Sequence, residues 1–190
     1  MNKKVKQFRD GLFQLNTRRF GIVAEKMVML LCTLHNDDNK FKDLIGNRVE
    51  IAFSRALEKH EESIHENIIE QCMNCDIKSR MVKYKDRYKK SYSCNFQQLK
   101  RNNFDYLIYG IFFKDRIVIF RIESDKIDKS INYSNKQHKN GKDEGQFHID
   151  KHIIKLHEDN YYVHELSYND LYNMLLSTEF DEDAETTKDN

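Results

Sequence analysis

Asp76 and Lys78 are the pair in this chain best suited by type and spacing to hydrolytic chemistry. They lie in the stretch Asn67-Ile-Ile-Glu-Gln-Cys-Met-Asn-Cys-Asp76-Ile-Lys78-Ser-Arg80. Read as an extended strand from Cys75, this segment puts Asp76, Lys78 and Arg80 on one face and Ile77, Ser79 and Met81 on the other. The carboxylate can hold a hard cation. The ammonium, on its flexible stem, can reach past it to a water or a phosphate. The same residues also read as solvated charges on an edge strand, because a lysine-rich chain produces Asp-x-Lys readily. Context has to decide between the two.

Asp76-Ile-Lys78-Ser-Arg80 is followed by Asn95-Phe-Gln-Gln98-Leu-Lys100 and by the apolar run Phe104-Asp-Tyr-Leu-Ile-Tyr109. Across residues 45–125 this order resembles the type II restriction endonucleases of the PD-(D/E)xK superfamily. In their pattern an acid near one strand end is followed, on the next strand, by an acid, a spacer and a lysine. The resemblance implies an α/β fold, with a mixed central sheet of four to six strands flanked by helices. It also implies sequence-specific, Mg2+-dependent cleavage of double-stranded DNA by a symmetric homodimer. The metal would be held by Asp76, the main-chain carbonyl of Ile77, and Glu50 or an acid of the 66–70 segment. Lys78 would orient or deprotonate the water, and Gln98 would reach the site. The first acid is where this chain departs, since no aspartate lies between Asp43 and Asp76. The candidates are Glu66, Glu70, or Asn67 standing where an acid is expected, which would make the chain an inactive form.

The elements that must position these groups follow from pattern. Asn47-Arg-Val-Glu50 has the form of a capping box, with Asn47 as N-cap and Glu50 at the third helical position. Val49, Phe53, Ala56 and Leu57 then supply a core face at helical spacing. Ile68 to Cys72 reads as a strand turning at Met73-Asn74. A two-residue turn there pairs Gln71 with Asp76 and puts Asn67 on the same face. Asn95-Phe-Gln-Gln98 again resembles a capping box and predicts a short helix. Phe104 to Phe113, a turn at Lys114-Asp115, and Arg116 to Ile122 form the clearest strand pair, its first arm apolar enough to be central.

Outside this middle, residues 1–18 read as a short basic helix and linker. Ile22 to Leu34 reads as a buried helix with Glu25 in its first turn, where the helix dipole favours an acid. Gln146 to Leu156 and Tyr161 to Leu166 read as strands. Ser167 reads as the N-cap of a helix from Tyr168 to Phe180, and Asp181 to Asn190 as a disordered acidic tail. The organisation is thus one nuclease-like domain over 1–180 with a tail over 181–190.

From Lys78 to Arg101 nine Lys or Arg stand against a single acid, Asp86, with Tyr84, Tyr88 and Tyr92 interleaved. Arg80, Lys83, Lys85, Arg87, Lys89, Lys90 and Lys100 therefore read as a surface that neutralises DNA phosphates. The rival reading is a solvated hairpin tip. The polar stretch Asp125–Gly145 contains Lys136-Gln-His-Lys-Asn140. Its amides suit adenine edges and its cations suit guanine, so Lys136, Gln137, His138, Lys139 and Asn140 are candidate base readers.

Composition sets wider bounds. The 190 residues include no proline and no tryptophan, 33% are charged, and the net charge is only +1. Any nucleic-acid surface must then come from local asymmetry. No run of 18 apolar residues marks a membrane span. The first residues lack a signal-peptide core, which predicts a cytoplasmic protein with four reduced cysteines. Cys72-x-x-Cys75 lacks the second ligand pair that a structural zinc needs. Three rival readings fit the same residues. One is a DNA-binding module without chemistry, the second a repair nuclease of the same superfamily that cuts by structure, and the third an α/β protein unrelated to nucleic acid that carries the motif by coincidence.

Overall fold

The computed structural model describes residues 1–35, 41, 44, 46–59, 69, 76–135 and 144–186, with side chains to 178. Its centre is a four-stranded mixed sheet in the order β1-β3-β4-β6. The strands are β1 (Val49–Arg55), β3 (Tyr106–Phe112), β4 (Ile117–Glu123) and β6 (Tyr162–Leu166). β1 pairs parallel to β3, while β3–β4 and β4–β6 are antiparallel. A separate antiparallel pair joins β2 (Cys94–Leu99) to β5 (Gly145–Ile149).

The β3–β4 hairpin matches its sequence pattern. Both arms are apolar at nearly every position, because β3 and β4 are covered on both faces. One face carries Ile108, Phe112, Ile117 and Ile119 against α1 (Lys3–Gln14), α2 (Thr17–Leu34) and α5 (Tyr168–Thr186). The other carries Leu107, Tyr109, Ile111, Val118 and Phe120 against the β2–β5 pair and α4 (Ile154–Tyr161). Truncating Ile119, fully buried between strands and helices, should cost about 2–5 kcal/mol. Gly110 is required where β1 meets β3. A Cβ there would lie 2.4 Å from Cε1 of Phe53, its register partner, and 2.5 Å from the Val118 carbonyl.

The helices begin where a side chain satisfies their free N–H groups. Asn2 accepts from Val5 N at 2.9 Å and Asn16 from Arg19 N at 3.0 Å. Helix α2 therefore starts at Thr17 rather than Ile22. Glu25 falls two turns in, away from the terminus where the dipole would favour it. Phe20, Ala24, Met27, Val28 and Leu31 form its buried stripe. Ser167 starts α5 as expected, its hydroxyl accepting from Asp170 N, but the helix continues to Thr186, past the expected end at Phe180. The strand expected over Gln146–Leu156 stops at Ile149. Asp150 accepts from His152 N at 2.8 Å, and that turn starts α4.

Three further expectations are corrected. Residues 49–55 form a strand, not a helix. Val49, Ile51 and Phe53 pack towards α1 and α2 while Ala52 packs the other way, and seven ladder positions tie the strand to β3. That alternation outweighs the capping pattern at Asn47. Residues 95–98 lie in β2 rather than a helix. Asp76 does not lie on a strand either: it is the N-cap of a single helical turn, α3 (Ile77–Arg80), and accepts from Lys78 N at 3.0 Å.

Candidate active site

Glu50 is the second residue of β1, on the open edge of the sheet. Desolvation first, and then the charge of Glu25 on α2, hold its carboxyl above the usual carboxylate range. The Glu25 carboxylate is thus near enough to Glu50 for its charge to be felt at the start of β1.

A second expected residue, Gln98, lies on β2. Ser54 is close enough to the Cys94 thiol to lower its proton affinity, which places the start of β2 beside the end of β1. Further on, Arg48 Nη1 donates to the Asn102 carbonyl at 3.2 Å. The chain from 94 to 102 therefore runs antiparallel past β1, with Gln98 between these two contacts. Gln98 sits where the β2–β5 register shifts, with φ at 59°. This left-handed conformation disfavours any side chain, and local strain of this kind gathers at functional sites. Arg48 closes the end of the site. Its guanidinium forks onto Asp105, Nη2 to Oδ1 at 2.7 Å and Nε to Oδ2 at 3.3 Å, which lowers the Asp105 pKa.

Asp76 and Lys78 lie elsewhere. Met81, just after α3, bridges to Leu57 beyond the C-terminal end of β1. Glu50 is at the strand's opposite end, and Leu57 is seven positions further along the extended chain, about 23 Å. Helix α3 rests against α1. The C-terminal carbonyls of α1 are in turn held by Arg55, whose Nη1 reaches Phe13 O at 2.8 Å and Leu15 O at 2.7 Å. Lys78 opens into a surface groove with Lys3, Lys6 and Gln7. Asp76, Lys78 and the Ile77 carbonyl therefore do not share a site with Glu50.

The basic segment is partly neutralised by acids distant in sequence. Arg87 binds Glu158 at 2.6 Å, stacked 3.8 Å from the Tyr84 ring centre and 4.1 Å from that of Tyr88. Lys90 binds Glu58 at 2.9 Å, Lys100 binds Glu144 at 3.2 Å, and Arg80 Nε donates to the Glu58 carbonyl. The lack of acids within the segment is thus no measure of its free charge. Lys83, Lys85 and Lys89 are exposed and form no ion pair among the described residues. Asn67, Glu66, Glu70, Cys72, Cys75 and the 136–140 base-reading candidates lie outside the described residues.

Glu25 and Arg48 were not legible as site residues. The one signal was the Glu50–Ile51–Ala52 order: on a strand, Glu50 and Ala52 share a face, as an acid and lysine of acid-x-Lys would. Among the described residues no group of three or more His, Cys, Asp or Glu gathers, and no helix is long and apolar enough to cross a membrane. No family model, no curated protein and no solved structure matches the chain.

Proposed function

We propose that the protein is a Mg2+-dependent nuclease that cuts double-stranded DNA at specific sequences, with its chemistry at Glu50. The observation that carries this reading is the Glu50–Glu25 pair. Desolvation and the charge of Glu25 raise the proton affinity of Glu50 on β1, and Gln98, in a strained conformation, lies on the stretch that passes β1. That donor set suits Mg2+, which takes one or two carboxylates and keeps several waters. When bound, the ion supplies Lewis acidity at the scissile phosphate and a more acidic water. Glu50 and Glu25 would be its protein ligands, and the Gln98 amide would orient a water or a phosphate oxygen. Arg48, fixed by Asp105, would steady the substrate strand. Lys83, Lys85 and Lys89 would meet phosphates away from the cut, and a symmetric dimer would match a palindromic site.

Plasmid DNA incubated with the protein and Mg2+ should give discrete fragments, and Glu50→Gln should give none. A smear independent of sequence would favour a structure-selective nuclease. Ala52 favours a second reading, a DNA-binding protein without chemistry. It stands where the acid-x-Lys pattern would carry an ammonium beside Glu50, and Lys78 is too far to replace it. Intact plasmid with sequence-selective binding would establish that alternative.

A further inference from the structure

A cleft of about 580 Å³, within the usual 300–1,000 Å³ range of small-molecule sites, is lined by Arg101, Asp128, Lys129, Tyr133, Ser134 and Asn135. Asn102 lines an adjoining pocket that shares Arg101, Tyr133 and Asn135, and its carbonyl is the one that holds Arg48, two residues before Glu50. The Arg101 guanidinium is held by main-chain carbonyls rather than by an acid. Its Nε donates to Ser124 O at 3.0 Å and its Nη2 to Asp125 O at 3.4 Å. The carbon of the guanidinium lies 5.6 Å from the centre of the Tyr133 ring. Tyr133 is itself fixed, donating to Leu99 O at 3.3 Å and packed so tightly on Gly145 that a Cβ there would fall 2.1 Å from its hydroxyl oxygen. Asp128 is close enough to feel the Arg101 charge, yet the two form no ion pair among the described residues.

A planar cation is thus aimed and kept in place without being neutralised, and Nη1 has no acceptor among the described residues. Neutral amides and a hydroxyl surround it. This chemistry matches a purine edge: the guanidinium pairs with guanine O6 and N7, and Asn side chains pair with adenine. A phosphate site would instead gather several cations, whereas here Arg101 and Lys129 share the lining with the Asp128 carboxylate. We propose that this cleft reads a purine of the target duplex beside the scissile phosphate, with Arg101 as the reading donor. The inference rests on the DNA-cleaving function proposed above and adds where sequence is read.

The test is selection from duplexes with a randomised core, without Mg2+, followed by affinity and salt-slope measurements on recovered and scrambled duplexes. Arg101→Ala is expected to bind the recovered duplex about ten- to a hundredfold less tightly, with one purine position relaxed and the salt slope unchanged. Asn135→Ala, at an exposed position, is expected to relax a neighbouring position and supplies the test should Arg101→Ala misfold. Equal losses on both duplexes with a slope reduced by about one unit would mark Arg101 as a phosphate contact and overturn the inference. So would an unchanged consensus in both variants, which leaves the nuclease reading standing. Failure of the wild-type protein to select any consensus overturns site specificity and this inference together.

Discussion

Glu50 on β1 has its proton affinity raised by desolvation first and then by repulsion from the like charge of Glu25 on α2. A divalent ion relieves that repulsion. Mg2+ at ten times its dissociation constant should therefore stabilise the protein by about 1.4 kcal/mol, read as a rise in melting temperature. Glu50→Gln should abolish the rise. Glu25→Gln should lower the Glu50 pKa, seen by carboxyl NMR titration, and weaken the ion response. An ion-induced shift that survives in both variants would place the cation elsewhere.

The sequence made the sheet centre legible but not the separation of Glu50 from Asp76 and Lys78. The β3–β4 hairpin was readable because burial on both faces leaves an unbroken apolar run, and β6 with the Ser167 cap was readable for equally local reasons. Asn47-x-x-Glu50 misled because Val49, Phe53, Ala56 and Leu57 fit a helical face about as well as Val49, Ile51 and Phe53 fit a strand. Pairing with β3, Val49 opposite Tyr106, settles the choice, and no local pattern contains it. Asp76 misled for the complementary reason: an aspartate before a polar turn caps a helix as readily as it starts a strand. The partners of Arg87, Lys90 and Lys100 are likewise set by tertiary approach alone.

His157 gives the fold a pH dependence. It is fully buried, its Nδ1 hydrogen-bonded to the Tyr109 hydroxyl at 2.7 Å, and burial pulls its pKa from 6.5 down to about 4. The unfolded chain takes up the proton first, so this stability is complete above pH 6.5. It is lost as pH falls towards 4, by about 3 kcal/mol. Urea denaturation from pH 7 to pH 4 should show the loss, and His157→Phe should remove this part of it. A profile unchanged by that substitution would assign the acid sensitivity to carboxylates instead.

Gln98 should trade stability for function. Glycine adopts its left-handed backbone without the side-chain penalty, so Gln98→Gly should stabilise the protein by about 1 kcal/mol. The same change removes the amide proposed to orient a water or a phosphate oxygen and should slow cleavage. Stability and cleavage rate moving in the same direction would contradict a strained functional position.

Within the basic segment, exposed and paired cations should separate. Lys83, Lys85 and Lys89 replaced together by alanine should lower the salt slope of DNA binding by about two to three units and leave thermal stability nearly intact. Arg87→Ala instead breaks the Glu158 pair between two tyrosine rings and should cost about 2 kcal/mol of stability. An unaltered slope in the triple variant would move the phosphate surface off this segment.

Ala52 is the position from which catalysis can be gained rather than lost. It shares the Glu50 face of β1 and is only partly buried, packed at the margin of the β2 side of the core. A lysine there can lay its methylene stem along that surface and carry its ammonium out at the sheet edge. From a neighbouring position on the same face, the ammonium comes within reach of a water between Glu50 and the scissile phosphate. A positioned acid–base group contributes about a hundredfold or more to rate. Ala52→Lys should therefore raise Mg2+-dependent plasmid cleavage by at least that factor, and Ala52→Met, of similar length without charge, should not. Both variants should bind the target duplex comparably, which separates chemistry from affinity. Equal cleavage by the lysine and methionine variants would remove Glu50 and position 52 from the reaction.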